Sequence, residues 1–293
     1  MKIVVTIPAY NEGKTIGILI SKINEEMKSN RYNYKILVID DGSNDKTAEI
    51  AKKAGAIVYS HQKNYGLADT FRAEMEKALE LHADIIVHID ADVQYQPKEI
   101  QKLIKEIDNG YDLVLGSRFK GKIESMPIIK RLGNKAFSKI VSNIIGIKIS
   151  DAQTGFRAFT RETAEKIKIT SNHTYTQEQI IRAVREKFKI KEVPIYFSKR
   201  NGKSRLIGNP FSYAIKAWIN IIRTYRDYEP LKFFGVIGVA IFGFGFLIGL
   251  YLVYLHFTSG IVGHLGLMML DILILSIGLQ VIIFGFIADM LKK

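Results

Sequence analysis

Asp84-Ile85-Ile86-Val87-His88-Ile89-Asp90-Ala91-Asp92 is the stretch on which the fold turns. A short β-branched run bounded by polar residues reads as a strand of a buried parallel sheet, and this one ends on two carboxylates two positions apart. Working outward, similar runs occur at residues 2–7, 35–39, 56–59 and 112–115. Helical patterns lie between them near 15–28, 46–54, 68–81 and 97–108. Ser43 or Asn44 is placed to cap the second helix, and Pro97 suits the first turn of the last. Alternating strands and helices of this length predict an α/β domain, a mostly parallel sheet with helices on both faces.

Ligands bind such sheets beyond the carboxyl ends of the strands. Here those ends carry Pro8-Ala9-Tyr10-Asn11-Glu12, Asp40-Asp41-Gly42-Ser43, Asp90-Ala91-Asp92 and Gly116-Ser117-Arg118. Any one of these could be a turn, because Asp, Asn, Gly and Ser are common turn formers. Four polar clusters converging on one edge predict a site. On an extended segment Asp90 and Asp92 point the same way, and two adjacent carboxylates repel unless a cation relieves them. Hard oxygen ligands suit Mg2+ or Mn2+, which bind through one or two carboxylates plus substrate phosphates. Neither G-x-G-x-x-G nor G-x-x-x-x-G-K-[ST] follows a strand, which argues against hydride transfer and P-loop NTP hydrolysis.

The 293 residues include no cysteine, so disulfides, thiolate catalysis and cysteine-bound metals are excluded. Of 42 Lys+Arg and 29 Asp+Glu, residues 1–117 hold 15 against 18, residues 118–232 hold 25 against 9, and residues 233–293 hold 2 against 2. The excess positive charge therefore sits in the middle third, as a solvated face or a surface for anionic partners. Residues 233–257 contain no charge, which predicts a transmembrane helix. Residues 265–288, interrupted by Asp271 and Gln280, predict a second helix and so a hairpin.

Arg223, Arg226 and Lys232 precede the hairpin, Lys292 and Lys293 follow it, and the loop between has neither Lys nor Arg. The positive-inside rule then puts both termini in the cytoplasm, as in a multi-pass protein of the cell membrane. Two basic amphipathic stretches, 128–147 and 211–225, are candidates for helices in the membrane interface, the alternative being ordinary surface helices. The expected organisation is a catalytic domain over 1–206, a juxtamembrane segment over 207–232, and spans at 233–257 and 265–288. His61, His88 and His173 show no metal-ligand spacing and read as packing or surface residues.

These pieces together resemble family 2 (GT-A type) glycosyltransferases, in the group of dolichyl-phosphate mannose synthase and polyprenyl-phosphate glycosyltransferases. The resemblance is carried by Ile7-Pro8-Ala9-Tyr10-Asn11-Glu12, Asp40-Asp41-Gly42-Ser43, Asn64-Tyr65-Gly66, Asp90-Ala91-Asp92-Val93-Gln94, Gly116-Ser117-Arg118, residues 151–157 (DAQTGFR) and Glu192-Val193-Pro194-Ile195, in that order. It implies a GT-A, Rossmann-like fold. Pro8, Tyr10, Glu12, Ile39, Asp41 and Ala91 would line the nucleotide pocket, with Asp90 and Asp92 shared between nucleotide and metal. Gln94 would complete the metal and diphosphate site. Arg118 and Asp151 would join the two aspartates in catalysis. Arg118, Arg131 and Arg157 would meet acceptor or donor phosphate, along with the basic tail. That tail departs from the family's R-x-x-G-x-S-K, reading Lys199-Arg200-Asn201-Gly202-Lys203-Ser204-Arg205, so charge is kept while bidentate geometry is not, and Lys199 and Arg200 stay open as the phosphate contact beside Arg205.

The implied reaction is metal-dependent, inverting transfer of a hexose from a nucleotide sugar of GDP-mannose or UDP-glucose type to a polyprenyl (dolichyl) phosphate. A phosphate monoester with a second pKa of about 6 is already largely ionised near neutrality and needs no protein base to attack the sugar. The basic middle segment then positions two anionic substrates beside a membrane. A processive polysaccharide synthase is disfavoured, since the single tryptophan, Trp218, follows Ala217 and makes no Q-x-x-R-W. A soluble glycan or protein acceptor, or a non-catalytic membrane scaffold, remain as alternatives. Nucleic acid ranks last, because it accounts for neither the hairpin nor the acidic edge. Self-association into a homo-oligomer is left open.

Overall fold

The computed structural model describes residues 1–171, 175–199, 215, 219, 222–260 and 265–291. It comprises two compact units, Met1–Ala214 and Ile215–Lys293. In the first unit, strands β1 (Lys2–Ala9), β2 (Asn33–Asp40), β3 (Ile57–Ser60), β4 (Ile85–His88), β5 (Leu113–Ile123), β6 (Arg157–Thr160) and β7 (Ile190–Phe197) form one sheet. Its order is β3-β2-β1-β4-β6-β5-β7. All five predicted strands are present, with ends shifted by one or two residues except at β5, which runs on to Ile123. Two strands were not anticipated. β6 is only four residues long and lies antiparallel to both β4 and β5, and β7 pairs parallel with β5.

Helices α1 (Ile16–Ser29), α2 (Thr47–Lys53), α3 (Leu67–Glu80), α4 (Ile100–Asp108), α5 (Ile128–Ile145), α6 (Arg161–Lys166) and α7 (Thr176–Arg185) complete the unit. Strand alternation divides the core. Ile3, Val5, Ile7, Ile85, Val87 and Ile89 pack in one cluster with Ile16, Leu19, Ile20, Ile23 and Met27 of α1 and Ile100, Leu103, Ile104 and Ile107 of α4. Each such side chain is worth about 1.5–3 kcal/mol on burial. The opposite face receives α3, through Thr6 and Phe71. Helices therefore lie on both faces, as the alternation required.

The second helix is capped differently from expectation. Its cap residue, Lys46, offers no side-chain bond, and the first-turn N–H of Thr47 donates to Asp45 instead (3.0 Å). Ser43 accepts from the Asn11 N–H (2.8 Å), tying the loop after β2 to the loop after β1.

The second unit contains helices α8 (Pro230–Ser259) and α9 (Leu265–Met290), both long and apolar enough to cross a membrane, with a mean hydropathy of 2.5 each. They meet along a seam of small residues, since a Cβ at Gly238 would lie 2.9 Å from the Gly278 carbonyl and one at Gly278 2.6 Å from the Phe242 nitrogen. Backbones pack this closely where glycine removes the side chain. The amphipathic stretch 128–147 is helical up to Ile145, and its first turns leave Ile128, Ile129 and Leu132 exposed. Most of 207–221, including Trp218, lies outside the described residues, as do Arg200, Arg205, His173, Lys292 and Lys293.

Candidate active site

In an open sheet the crevice opens where strand order reverses, and here that point falls between β1 and β4. Two of the four expected clusters, Pro8 to Glu12 and Asp90 to Asp92, leave the sheet on either side of it. The Asp90 side chain is 38% exposed, and its nearest partner is His88, with Nε2 3.7 Å from Oδ1. Asp92 is half-buried and accepts from the Gln94 N–H (3.2 Å). Between them and the following turn, Val93 adopts φ +61°, a left-handed conformation costly for a β-branched residue. Strain of this kind persists only where surrounding structure fixes it, commonly at binding sites.

On the nucleotide side the expected residues divide into open and closed. Tyr10 is exposed, and Pro8 and Glu12 are partly so. Ile39 is fully buried in β2, and Ala91 is buried. Asp41 is buried too, and its carboxylate accepts from the N–H groups of Tyr65 and Gly66 (2.9 Å each) and meets His61 Nδ1 (2.8 Å). It therefore anchors the loop 61–66 rather than presenting a free carboxylate to a base. Gly42, at φ +70°, lies under that loop, where a Cβ would come within 2.5 Å of the Lys63 backbone.

The expected phosphate-binding arginines are also divided. Arg118 forms a fork with Asp151, Nε to Oδ2 and Nη2 to Oδ1 both at 2.7 Å, and its N–H donates to the same carboxylate. Both residues are buried. Arg157 is fully buried, with four donor contacts to the carbonyls of Thr154, Thr176 and Ala152 and to Gln179 Oε1. Both guanidinium groups expected at phosphate are held by protein acceptors here, because an unpaired buried charge would be far costlier. Arg131, by contrast, is exposed on α5. Lys199 is exposed, and its N–H donates to Glu124. Gln94 is buried, its amide nitrogen donating to the Ser198 carbonyl at the end of β7, so it braces the turn beneath Asp92.

Behind the two aspartates lies a buried polar chain. Glu74 Oε2 is 2.6 Å from His88 Nδ1, and His88 Nε2 is 2.6 Å from the Tyr175 hydroxyl. Burial opposes charge on His88, but Glu74 and Asp90 outweigh it and push its pKa up to about 9. Tyr175 stacks on Phe71 with ring centroids 3.8 Å apart, and Arg157 lies over its ring. His88 is thus the packing residue that was expected, but with polar partners; Glu74 and Tyr175 were missed. Glu74 could have been suspected as an acidic residue on the apolar stripe of α3, among Thr70, Phe71 and Ala78. Burial likewise pushes the Tyr95 phenol up to about 12, and its neutral hydroxyl accepts from the Gly155 N–H (3.0 Å).

Residues 4–168, more than half of the chain, match the family described as Glycosyl transferase family 2. The chain belongs to glycosyltransferase family 2. As a member of that family it is a glycosyltransferase. It is 34% identical over 210 residues to a protein of Haloferax volcanii named dolichyl-phosphate hexose transferase, covering 71% of this chain and 87% of that one. It is 32% identical over 238 residues to a protein of Methanococcus voltae named UDP-N-acetylglucosamine--dolichyl-phosphate N-acetylglucosaminyltransferase, covering 71% and 92%. Among solved structures, glucosyl-3-phosphoglycerate synthase of Mycobacterium tuberculosis, in complex with Mn2+, UDP and glucosyl-3-phosphoglycerate, aligns with a TM-score of 0.59 at 19% identity over 75% of this chain and 79% of that one. That likeness establishes the GT-A fold of this family 2 enzyme.

Proposed function

We propose that this family 2 glycosyltransferase moves a hexose from a nucleotide sugar to a polyprenyl phosphate at the cytoplasmic face of a membrane. The observation that carries the donor half is the pair Asp90 and Asp92 beside the switch point of the sheet. A partly exposed carboxylate pair at that edge fits a hard divalent ion, Mg2+ or Mn2+, shared with a diphosphate. Among the described residues no group of three or more His, Cys, Asp or Glu could enclose a metal alone, which suits an ion whose remaining ligands come from substrate. Asp90 and Asp92 would hold it, with Gln94 bracing the turn. The bound ion would neutralise charge building on the leaving diphosphate. Pro8, Tyr10 and Glu12 offer the exposed wall for the nucleoside, and Ile39, Asp41 and Ala91 shape the floor behind it.

The acceptor half is supported by the names of the two dolichyl-phosphate relatives and by the apolar hairpin. Arg118 and Asp151 act as a fixed pair that holds the acceptor side in shape. Arg131, together with Lys199, Arg200 and Arg205, supplies the cations that hold the lipid phosphate. The phosphate oxygen, already ionised near neutral pH, attacks the anomeric carbon from the side opposite the leaving diphosphate, so the sugar inverts. The catalytic unit spans 1–206 and the hairpin 233–257 and 265–288, with both termini cytoplasmic.

The test is to incubate purified protein with labelled UDP- and GDP-sugars, Mn2+ or Mg2+, and polyprenyl phosphate, and follow label into the organic phase. Label there with one donor is the expected result. Label that stays aqueous, on an added glycan or protein, would overturn the lipid acceptor.

A further inference from the structure

Glu74 and His88 are fully buried, yet as a device for stability they are poorly made. Glu74 Oε2 serves both the Thr6 hydroxyl and His88, while Glu74 Oε1 is buried without a hydrogen-bond partner among the described residues. A buried polar pair with an orphaned oxygen costs more than an apolar pair of similar volume. The chain from Thr6 through Glu74 and His88 ends beside the partly exposed Asp90 carboxylate, whose Oδ1 lies 3.7 Å from His88 Nε2.

The other side of that carboxylate is bounded by Gly155. A Cβ there would stand 2.3 Å from Asp90 Oδ2 and 2.6 Å from Oδ1, too close for a side chain unless the carboxylate moves. Gly155 is itself pinned, its N–H on the Tyr95 hydroxyl, two residues before the buried Arg157. Asp90 therefore sits between an imidazole whose two nitrogens are held by Glu74 and Tyr175 and a notch that only glycine leaves open. A ligand carboxylate held to a narrow geometry on a rigid backing binds its ion more tightly than one free to rotate.

We propose that Glu74, His88 and Gly155 are positioning residues that seat the Asp90 carboxylate for the metal-bound diphosphate. This rests on the assignment of Asp90 and Asp92 to that group. The chain Glu74–His88–Tyr175 sets the direction of the carboxylate from behind, and Gly155 sets its depth from the side.

The experiment titrates Mn2+ into the purified protein with UDP and, separately, with GDP, read by the loss of the free Mn2+ electron paramagnetic resonance signal, with thermal unfolding alongside. The variants are Asp92→Asn, Gly155→Ala and the apolar triple Glu74→Leu/His88→Met/Tyr175→Phe. The expected result is that the triple variant unfolds at or above the temperature of the unaltered protein yet binds Mn2+ at least tenfold more weakly. Gly155→Ala should weaken Mn2+ at least as much, and it decides the matter if the triple variant fails to fold. If Asp92→Asn loses Mn2+ while Gly155→Ala and a folded triple variant keep the original midpoint, the positioning role is overturned and the donor site stands. Should Asp92→Asn bind Mn2+ like the unaltered protein, the donor-site assignment falls, and this inference with it.

Discussion

Asp90 and Asp151 lie in one unit of the protein and are used in opposite ways. Asp151 is fully buried, and its carboxylate is matched by the guanidinium and the N–H of Arg118. Asp90 is 38% exposed, with an imidazole at 3.7 Å behind it. A carboxylate whose acceptors are saturated by protein donors can only hold the fold, whereas one left partly open can hold a ligand. The comparison also separates the arginines: Arg118 and Arg157 are committed to protein acceptors, and Arg131 is exposed.

Breaking the open side should give the largest effect. Asp92→Asn is expected to lower transfer by about three orders of magnitude, near 4 kcal/mol of barrier, with thermal unfolding almost unchanged. Turnover close to that of the unaltered enzyme would place the diphosphate elsewhere. On the closed side the signs reverse. Asp151→Ala leaves Arg118 buried and unpaired and should cost about 3 kcal/mol of stability in chemical unfolding, with much of it restored in Arg118→Met/Asp151→Leu. No loss in the single variant would mean that the pair is not the structural element described above.

Two smaller changes sharpen the contrast away from these pairs. Gly42→Ala requires a left-handed residue and a displaced loop 61–66, and a cost of about 1–3 kcal/mol is expected in thermal unfolding. Glu178 offers a pH test on a residue outside both pairs. Burial alone would raise its pKa, but the N–H groups of Thr170 and Ser171, the Thr170 hydroxyl and Arg182 outweigh it and hold it below 4.5. A lowered folded pKa adds stability above the ordinary value, and that stability is lost as pH falls through the folded one. Glu178→Gln should therefore cost about 1 kcal/mol at neutral pH. The difference should shrink below pH 4.5, and a constant difference across that range would disprove the linkage.

The half of the sheet from β3 to β4 was legible because its strands are apolar β-branched runs in register with helical patterns. The other half was less so. β6 is four residues, Arg-Ala-Phe-Thr, starting at the last residue of the motif 151–157, and its antiparallel pairing depends on neighbours distant in the chain. β5 outran its expected end because Lys122 and Ile123 pair with Tyr196 and Phe197 after a shift in register, which no local pattern encodes. The same limit applied to the site. Asp90 and Asp92 stood out by spacing, whereas Gly155 faces Asp90 from a segment some 65 positions away.

The sequence by itself determined the α/β alternation, the acidic edge at the carboxyl ends of the strands, the family and the two apolar helices, because each is written in local periodicity, charge or an ordered set of motifs. Only the tertiary structure decided which charges are open and which are spent. Arg118, Arg131 and Arg157 are the same residue type in one basic segment, and their difference lies in whether folding brings a carboxylate or carbonyl oxygens within hydrogen-bond reach. Desolvation makes that choice, since a buried guanidinium must be paired while an exposed one need not be.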